Sequence, residues 1–105
     1  MPKLFEYLGI TVWFYSDEHE PIHVHGKYQG AENRAEILVA NGQAVDVRIT
    51  KSGNKRELPP AQQADFETLV RHYAAEIVQA WTDYFVRHHD IKARQITRQI
   101  TRRIK

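Results

Sequence analysis

Through the first half of the chain apolar and polar residues alternate with a period of two, the spacing of strands whose two faces differ. Residues 8–15 place Ile10, Val12 and Phe14 on one face and Thr11, Trp13 and Tyr15 on the other. The β-branched and aromatic content predicts a strand covered on both sides. Residues 16–21 are polar and end in Pro21, as a loop does. Alternation resumes over residues 22–28, with Ile22, Val24 and Gly26 on one face and His23, His25 and Lys27 on the other. Gln29-Gly30 reads as a turn. A third strand over residues 34–39 carries Ala35, Ile37 and Val39 on its apolar face. Asn41-Gly42 then signals a hairpin, because both turn positions require positive φ. The fourth strand, residues 44–49, is expected to turn Val45, Val47 and Ile49 inward and Asp46 and Arg48 outward.

Beyond the loop of residues 51–59 the period becomes helical, and Pro60 suits a first turn. Phe66, Leu69, Val70, Tyr73, Ile77, Trp81, Tyr84 and Phe85 fall on one stripe, with Gln63, Glu67, Arg71 and Glu76 opposite. A single helix from Pro60 to about His88 would run roughly 40 Å and overhang a small sheet. After it, Ile96, Ile100 and Ile104 recur at i, i+4, i+8 beside Arg94, Arg98 and Arg102. As a helix this tail is amphipathic and basic, although Ile and Thr are mediocre helix formers. The expected fold is α+β: a four-stranded antiparallel sheet packed on one long C-terminal helix, followed by a basic tail. Residues 1–90 form the domain and residues 91–105 the tail.

Length and composition fit this outline. With 105 residues, 42% of them hydrophobic, the chain supports one core and is too short for two. It has no Cys, which excludes disulfides, thiolate metal sites and Cys nucleophiles. No apolar stretch suggests a signal peptide or a membrane span, so a cytoplasmic setting is expected. The net charge of +2 hides an asymmetry. Residues 91–105 hold six basic residues, among them Arg94, Arg98, Arg102 and Arg103, and no acid, whereas residues 1–90 carry a net charge of −4. A basic tail on an acidic body points to nucleic acid or an acidic partner.

The densest chemistry lies in Glu18-His19-Glu20-Pro21-Ile22-His23-Val24-His25. On a strand, His23 and His25 share a face with Cβ atoms roughly 6–7 Å apart. Three readings stay open. Two imidazoles, with His19 and Glu18 added from the loop, suit a divalent transition metal such as zinc. Without metal, His19, His23 and His25 offer a general base and acid, because imidazole titrates near neutral pH. In RNA cleavage, Lys27 or a tail arginine (Arg94, Arg98, Arg102, Arg103) would hold the phosphate. In the third reading His23 and His25 sit on a solvated face, or hydrogen-bond into the loop, and do no chemistry. His72, His88 and His89 read as cap or surface residues, residues 52–56 as a solvated basic turn, and Trp13 and Trp81 as core. There is no phosphate loop, nucleophile elbow or Glu-x-x-His pair.

Gly9-Ile10, Phe14-Tyr15-Ser16 and the Glu-His-x-Pro-x-His-x-His segment, followed by a hairpin and a helix bearing Trp81, resemble the bacterial family called domain of unknown function 4160 (DUF4160). The matching motif residues are Glu18, His19, Pro21, His23 and His25. The resemblance covers about residues 1–85, leaving the basic repeat outside. It implies a small cytoplasmic sheet-plus-helix protein, often encoded beside an antitoxin-like partner protein, and so a toxin–antitoxin type role. The functional expectation is a toxin-like component acting on RNA or another nucleotide-containing substrate. The alternatives are a non-enzymatic module that docks a protein or nucleic acid, and a His-liganded metal-binding protein. A homodimer is also expected, because an overhanging end at Trp81, Tyr84 and Phe85 would otherwise leave large aromatic area in water.

Overall fold

The structure is a computed structural model that describes residues 2–14, 22–87, 93–97, 99 and 100. Five strands run as an up-and-down meander: β1 (Lys3–Tyr7), β2 (Ile10–Trp13), β3 (His23–Tyr28), β4 (Ala31–Ala40) and β5 (Gln43–Lys51). Each pairs antiparallel with the next. After the helical region, β6 (Arg94–Ile96) adds parallel to β1, giving a six-stranded sheet of order β5-β4-β3-β2-β1-β6. Three hairpins close through two residues at positive φ: Leu8-Gly9 (50° and 83°), Gln29-Gly30 (48° and 82°) and Asn41-Gly42 (54° and 77°). Two successive positive values are the type I′ geometry, whose twist matches that of the strands it joins.

The helices cover one face of the sheet. Alternate strand residues, Phe5, Tyr7, Ile10, Val12, Phe14, Val24, Ala35, Ile37 and Val47, are buried in one cluster with Phe66, Leu69, Val70, Ala74 and Ile77 from the helical region. This is the two-layer solution for a sheet with one apolar face. No helix among the described residues is long and apolar enough to cross a membrane.

Two expectations about the fold are overturned. The sheet has six strands and is mixed, where four antiparallel strands were expected. Residues 8–15 read as one apolar run, but Leu8 and Gly9 form a turn inside it, which frees Lys3–Tyr7 as a separate strand. Part of the tail also becomes a strand: Arg94, Gln95 and Ile96 register against Phe5, Glu6 and Tyr7. Ile96 and Ile100 pack against the core, and the Ile100 N–H donates to the Tyr7 hydroxyl at 2.9 Å.

The helix is likewise not one long rod. It comprises α1 (Pro60–His72), α2 (Ala74–Trp81) and a π-helical turn over Thr82–Val86. Tyr73 leaves helical geometry (φ −106°, ψ 19°), and its ring stacks on Phe5 at 5.1 Å. The bend keeps the second half on the sheet, where a straight helix would overhang. Trp81, Tyr84 and Phe85 are thereby half-buried, with the Phe85 ring 5.5 Å from Phe14 and the Tyr84 ring 6.4 Å from it. Val45, expected inward, is 61% exposed, because the β4–β5 register slips between Leu38 and Val39 and leaves it in a bulge.

The outer edge of β5 is capped at its centre. Val47 pairs with Ile37, whose N–H points the other way, to Ile22, so Val47 turns its own N–H and C=O outward. Asp46 Oδ1 accepts that N–H at 2.8 Å, and Arg71 Nη2 donates to that carbonyl at 2.9 Å. Arg71 also pairs with Asp46 at 3.1 Å. Side chains thus occupy the groups through which another strand would pair.

Candidate functional site

The face of the sheet opposite the helices is built in cross-strand rows. Register places Lys3 beside Trp13, Trp13 beside His25, His25 beside Arg34, and Arg34 beside Thr50. One row therefore crosses five strands as cation, indole, imidazole, guanidinium and hydroxyl. A parallel row runs Glu6, Thr11, Lys27, Glu32, and His23 lies beside Glu36 in the next. Antiparallel partners share a face, so these side chains are neighbours by construction.

His25 is the most constrained member. Its Nδ1 lies 2.9 Å from Glu32 Oε2 and 3.1 Å from Ser52 Oγ, and the Ser52 hydroxyl donates to the same carboxylate oxygen. All three residues are buried. With the Ser52 proton directed at Glu32, the contact between His25 and the carboxylate requires a proton on Nδ1. The neutral ring then carries its lone pair on Nε2. Burial pushes the His25 imidazole from 6.5 to about 4, against the opposing pull of Glu32 and with help from His23 and Arg34. His25 is therefore neutral at physiological pH, with its tautomer and orientation fixed by a carboxylate. His23 stands edge-on to it, ring centroids 5.3 Å apart.

The local chain explains this placement. The Gln29-Gly30 turn folds β4 back on β3 so that Lys27 faces Glu32 and His25 faces Arg34. Ser52 follows the last residue of β5, and the loop behind it is pinned from beneath the sheet. Asn33 Nδ2 donates to the Thr50 carbonyl at 2.9 Å and to Glu57 at 3.1 Å, and Asn33 Oδ1 accepts the Leu58 N–H at 2.9 Å. The Glu32 N–H donates to the Arg56 carbonyl at 2.8 Å.

Of the residues expected to form a site, His23, His25 and Lys27 come together on this face. The Lys27 ammonium lies 5.3 Å from the centre of the Trp13 ring. Arg94 does not join them. Its guanidinium lies over Phe5 and Tyr73, at 5.7 and 5.0 Å, and pairs with Glu76 at 3.1 Å, on the helical side. Glu18, His19, Arg98, Arg102 and Arg103 lie outside the described residues. Among those described, no three His, Asp or Glu side chains gather in a way that would hold a metal ion. The two imidazoles alone would leave zinc short of ligands.

Sequence reasoning missed Glu32, Ser52, Arg34 and the outward placement of Trp13. A signal existed for the first and third. A two-residue turn at Gln29-Gly30 pairs residues 25 with 34 and 27 with 32 by simple counting. Nothing local announces Ser52, which reaches the site from 27 residues away.

The fold and site define a two-layer α+β protein whose sheet face opposite the helices carries a carboxylate-oriented histidine. The profile of the family described as Domain of unknown function (DUF4160) matches residues 9–82, and the chain belongs to that family. No curated protein and no solved structure gives a significant match.

Proposed function

We propose that this protein acts on RNA as the toxin-like member of a two-protein bacterial module, with His25 as general base. The observation that carries the reading is the Glu32–His25 pair: a neutral imidazole, its Nδ1 proton held by a buried carboxylate, with a basic Nε2. The same division of labour between carboxylate and imidazole serves hydrolytic sites on unrelated folds. The resemblance to a family frequently encoded beside antitoxin-like partners supports the two-protein setting.

The chemistry would be transesterification within the RNA strand. His25 Nε2 takes the 2′-OH proton, the 2′ oxygen attacks phosphorus, and the bond from phosphorus to the 5′ oxygen breaks as a second group protonates the leaving oxygen. His23 is the adjacent imidazole for that donation. The products are a 2′,3′-cyclic phosphate and a 5′-hydroxyl. A group titrating near 4 is a weak base in the free protein. A phosphodiester placed beside the ring adds negative charge that favours the imidazolium, so the base strengthens when substrate is bound.

One observation favours a binding module instead. His23 and His25 are only 7% and 6% exposed, as residues that merely stabilise the sheet would be. The two readings separate in one experiment. Purified wild type is incubated with single-stranded RNA, the product ends are mapped, and His25→Ala is run in parallel. Cleavage giving cyclic phosphate ends, lost in the variant while fold is retained, supports the enzyme. RNA left intact by wild type, or cut equally by the variant, overturns it. Growth arrest on expression without the neighbouring gene, relieved by co-expressing it, tests the module.

A further inference from the structure

Trp13 was expected in the core, yet it stands half-buried on the sheet face opposite the helices, between two lysines. Lys3 Nζ lies 5.8 Å and Lys27 Nζ 5.3 Å from its ring centre, and its Nε1 donates to Thr11 Oγ1 at 2.9 Å, which fixes the ring on its edge. In the free protein both ammonium groups lie over the ring. Single-stranded nucleic acid uses such an indole by stacking a base on it while the displaced cations meet the flanking phosphates. The row continues directly into His25 and Arg34. At about 4.8 Å per strand, Lys3 to Arg34 spans about 14 Å.

We propose that single-stranded RNA crosses the strands along this row, with one base stacked on Trp13 and adjacent phosphates held by Lys27 and Arg34. The scissile bond then lies over His25. This rests on the reading of the site as RNA-directed and adds what positions the substrate. The occupant is selected by the cations that flank the indole, Lys3 in its own row and Lys27 in the next, with Arg34 two strands along. In the free protein each stands beside a carboxylate, Glu6, Glu32 or Glu36, that a polyanion with flat bases would displace. Arg34 supplies a second indication. It spends Nη2 on Glu36 at 3.1 Å, while its Nε is buried with no hydrogen-bond partner among the described residues. Lys3 is paired with Glu6. An arriving phosphate exchanges with these half-buried carboxylates. A lysine that yields its ring contact to a base gains a phosphate in return.

The test uses the full chain and a dye-labelled, 2′-O-methyl oligouridylate, which binds but offers no 2′-OH to attack. Anisotropy at low salt is expected to show saturable binding, weakened roughly 5- to 150-fold by Trp13→Ala, as for removal of a stacked base. Trp13→Phe, which keeps an aromatic face, recovers most of it. Lys27→Glu weakens binding at least tenfold and flattens its salt dependence. Because Trp13→Ala removes packing from the sheet, Lys27→Gln and Lys3→Gln, which place no new carboxylate beside Glu32 or Glu6, provide the same answer without that risk. Binding indifferent to Trp13 and Lys27, or no binding by wild type at high micromolar protein, overturns the track. RNA cleavage surviving such a result leaves His25 as the base, whereas Trp13-dependent binding without cleavage overturns the catalytic reading and leaves the track.

Discussion

Gly26 lies flat against the ring of Phe66: a Cβ built on residue 26 would stand 2.6 Å from two of the ring atoms. This contact sets the height of β3 above α1, and residue 26 sits between His25 and Lys27. Phe66 is fully buried and has no room to retreat. Gly26→Ala is therefore expected to destabilise the protein by about 1–3 kcal/mol, the range for overpacking a closed core. Thermal denaturation reads this as a fall in Tm of roughly 4–8 °C per kcal/mol for a domain of this size. An unchanged Tm would mean that the helix moves away freely.

The His25 shift has a defined sign. Its folded value, about 4, lies below the ordinary 6.5, so between these limits the unfolded chain binds more protons than the native one. The stability contributed by the neutral buried ring is complete above pH 6.5 and is lost as pH falls from 6.5 toward 4. His25→Gln, which cannot titrate, should flatten the dependence of Tm on pH across that window. A slope identical to wild type would assign the titration to other groups.

The same shift predicts a split in the kinetics. The acid limb of kcat/KM reports the free protein and is expected near pH 4. The acid limb of kcat reports the complex and is expected at higher pH, because the bound phosphodiester favours the imidazolium. Coincident limbs at 6.5 would place His25 in solvent, not beside Glu32.

Glu32→Gln preserves size and keeps an acceptor, but removes the charge that orients the ring and stabilises its protonated form. Activity is expected to fall by as much as about 10,000-fold, as for an amide replacing the carboxylate behind a general-base histidine. Oligonucleotide binding should not weaken, since Glu32 is buried and loss of its charge removes a competitor for Lys27. Comparable losses in binding and turnover would mark Glu32 as holding the sheet face together instead.

At the far edge, Asp46→Ala combined with Arg71→Ala uncovers both outward groups of Val47. Self-association at high micromolar concentration, read by light scattering, is the expected result. The hydrogen bond from the Val47 N–H, and then Arg71, hold the Asp46 carboxyl below its usual range, so acid should loosen this cap only at low pH. A double variant that stays as dispersed as wild type would show that the Val45 bulge alone protects the edge.

Much of the candidate site was legible. Alternation put His23 and His25 on one face, and Asn41-Gly42 and Gln29-Gly30 marked two hairpins by their chemistry. The first hairpin was hidden because Leu8 occupies a positive φ that a leucine rarely adopts. Tyr73 breaks the helix without a Gly or Pro to announce it, through a stacking partner more than sixty positions away. The tail's isoleucines fit a helical period as well as a strand, and only the free edge of β1 decides between them. Periodicity reads what is local, and these three features depend on neighbours distant in sequence.

The meander also orders assembly in time. From β1 to β5 every pairing joins consecutive segments, and three of the four joins need only two turn residues, so little loop entropy opposes them. The register that aligns Lys3, Trp13, His25 and Arg34 needs only segments that precede α1 in the chain. β6 instead brings the end of the chain back to its beginning, so the parallel β1–β6 pairing carries the largest loop-closure cost in the sheet.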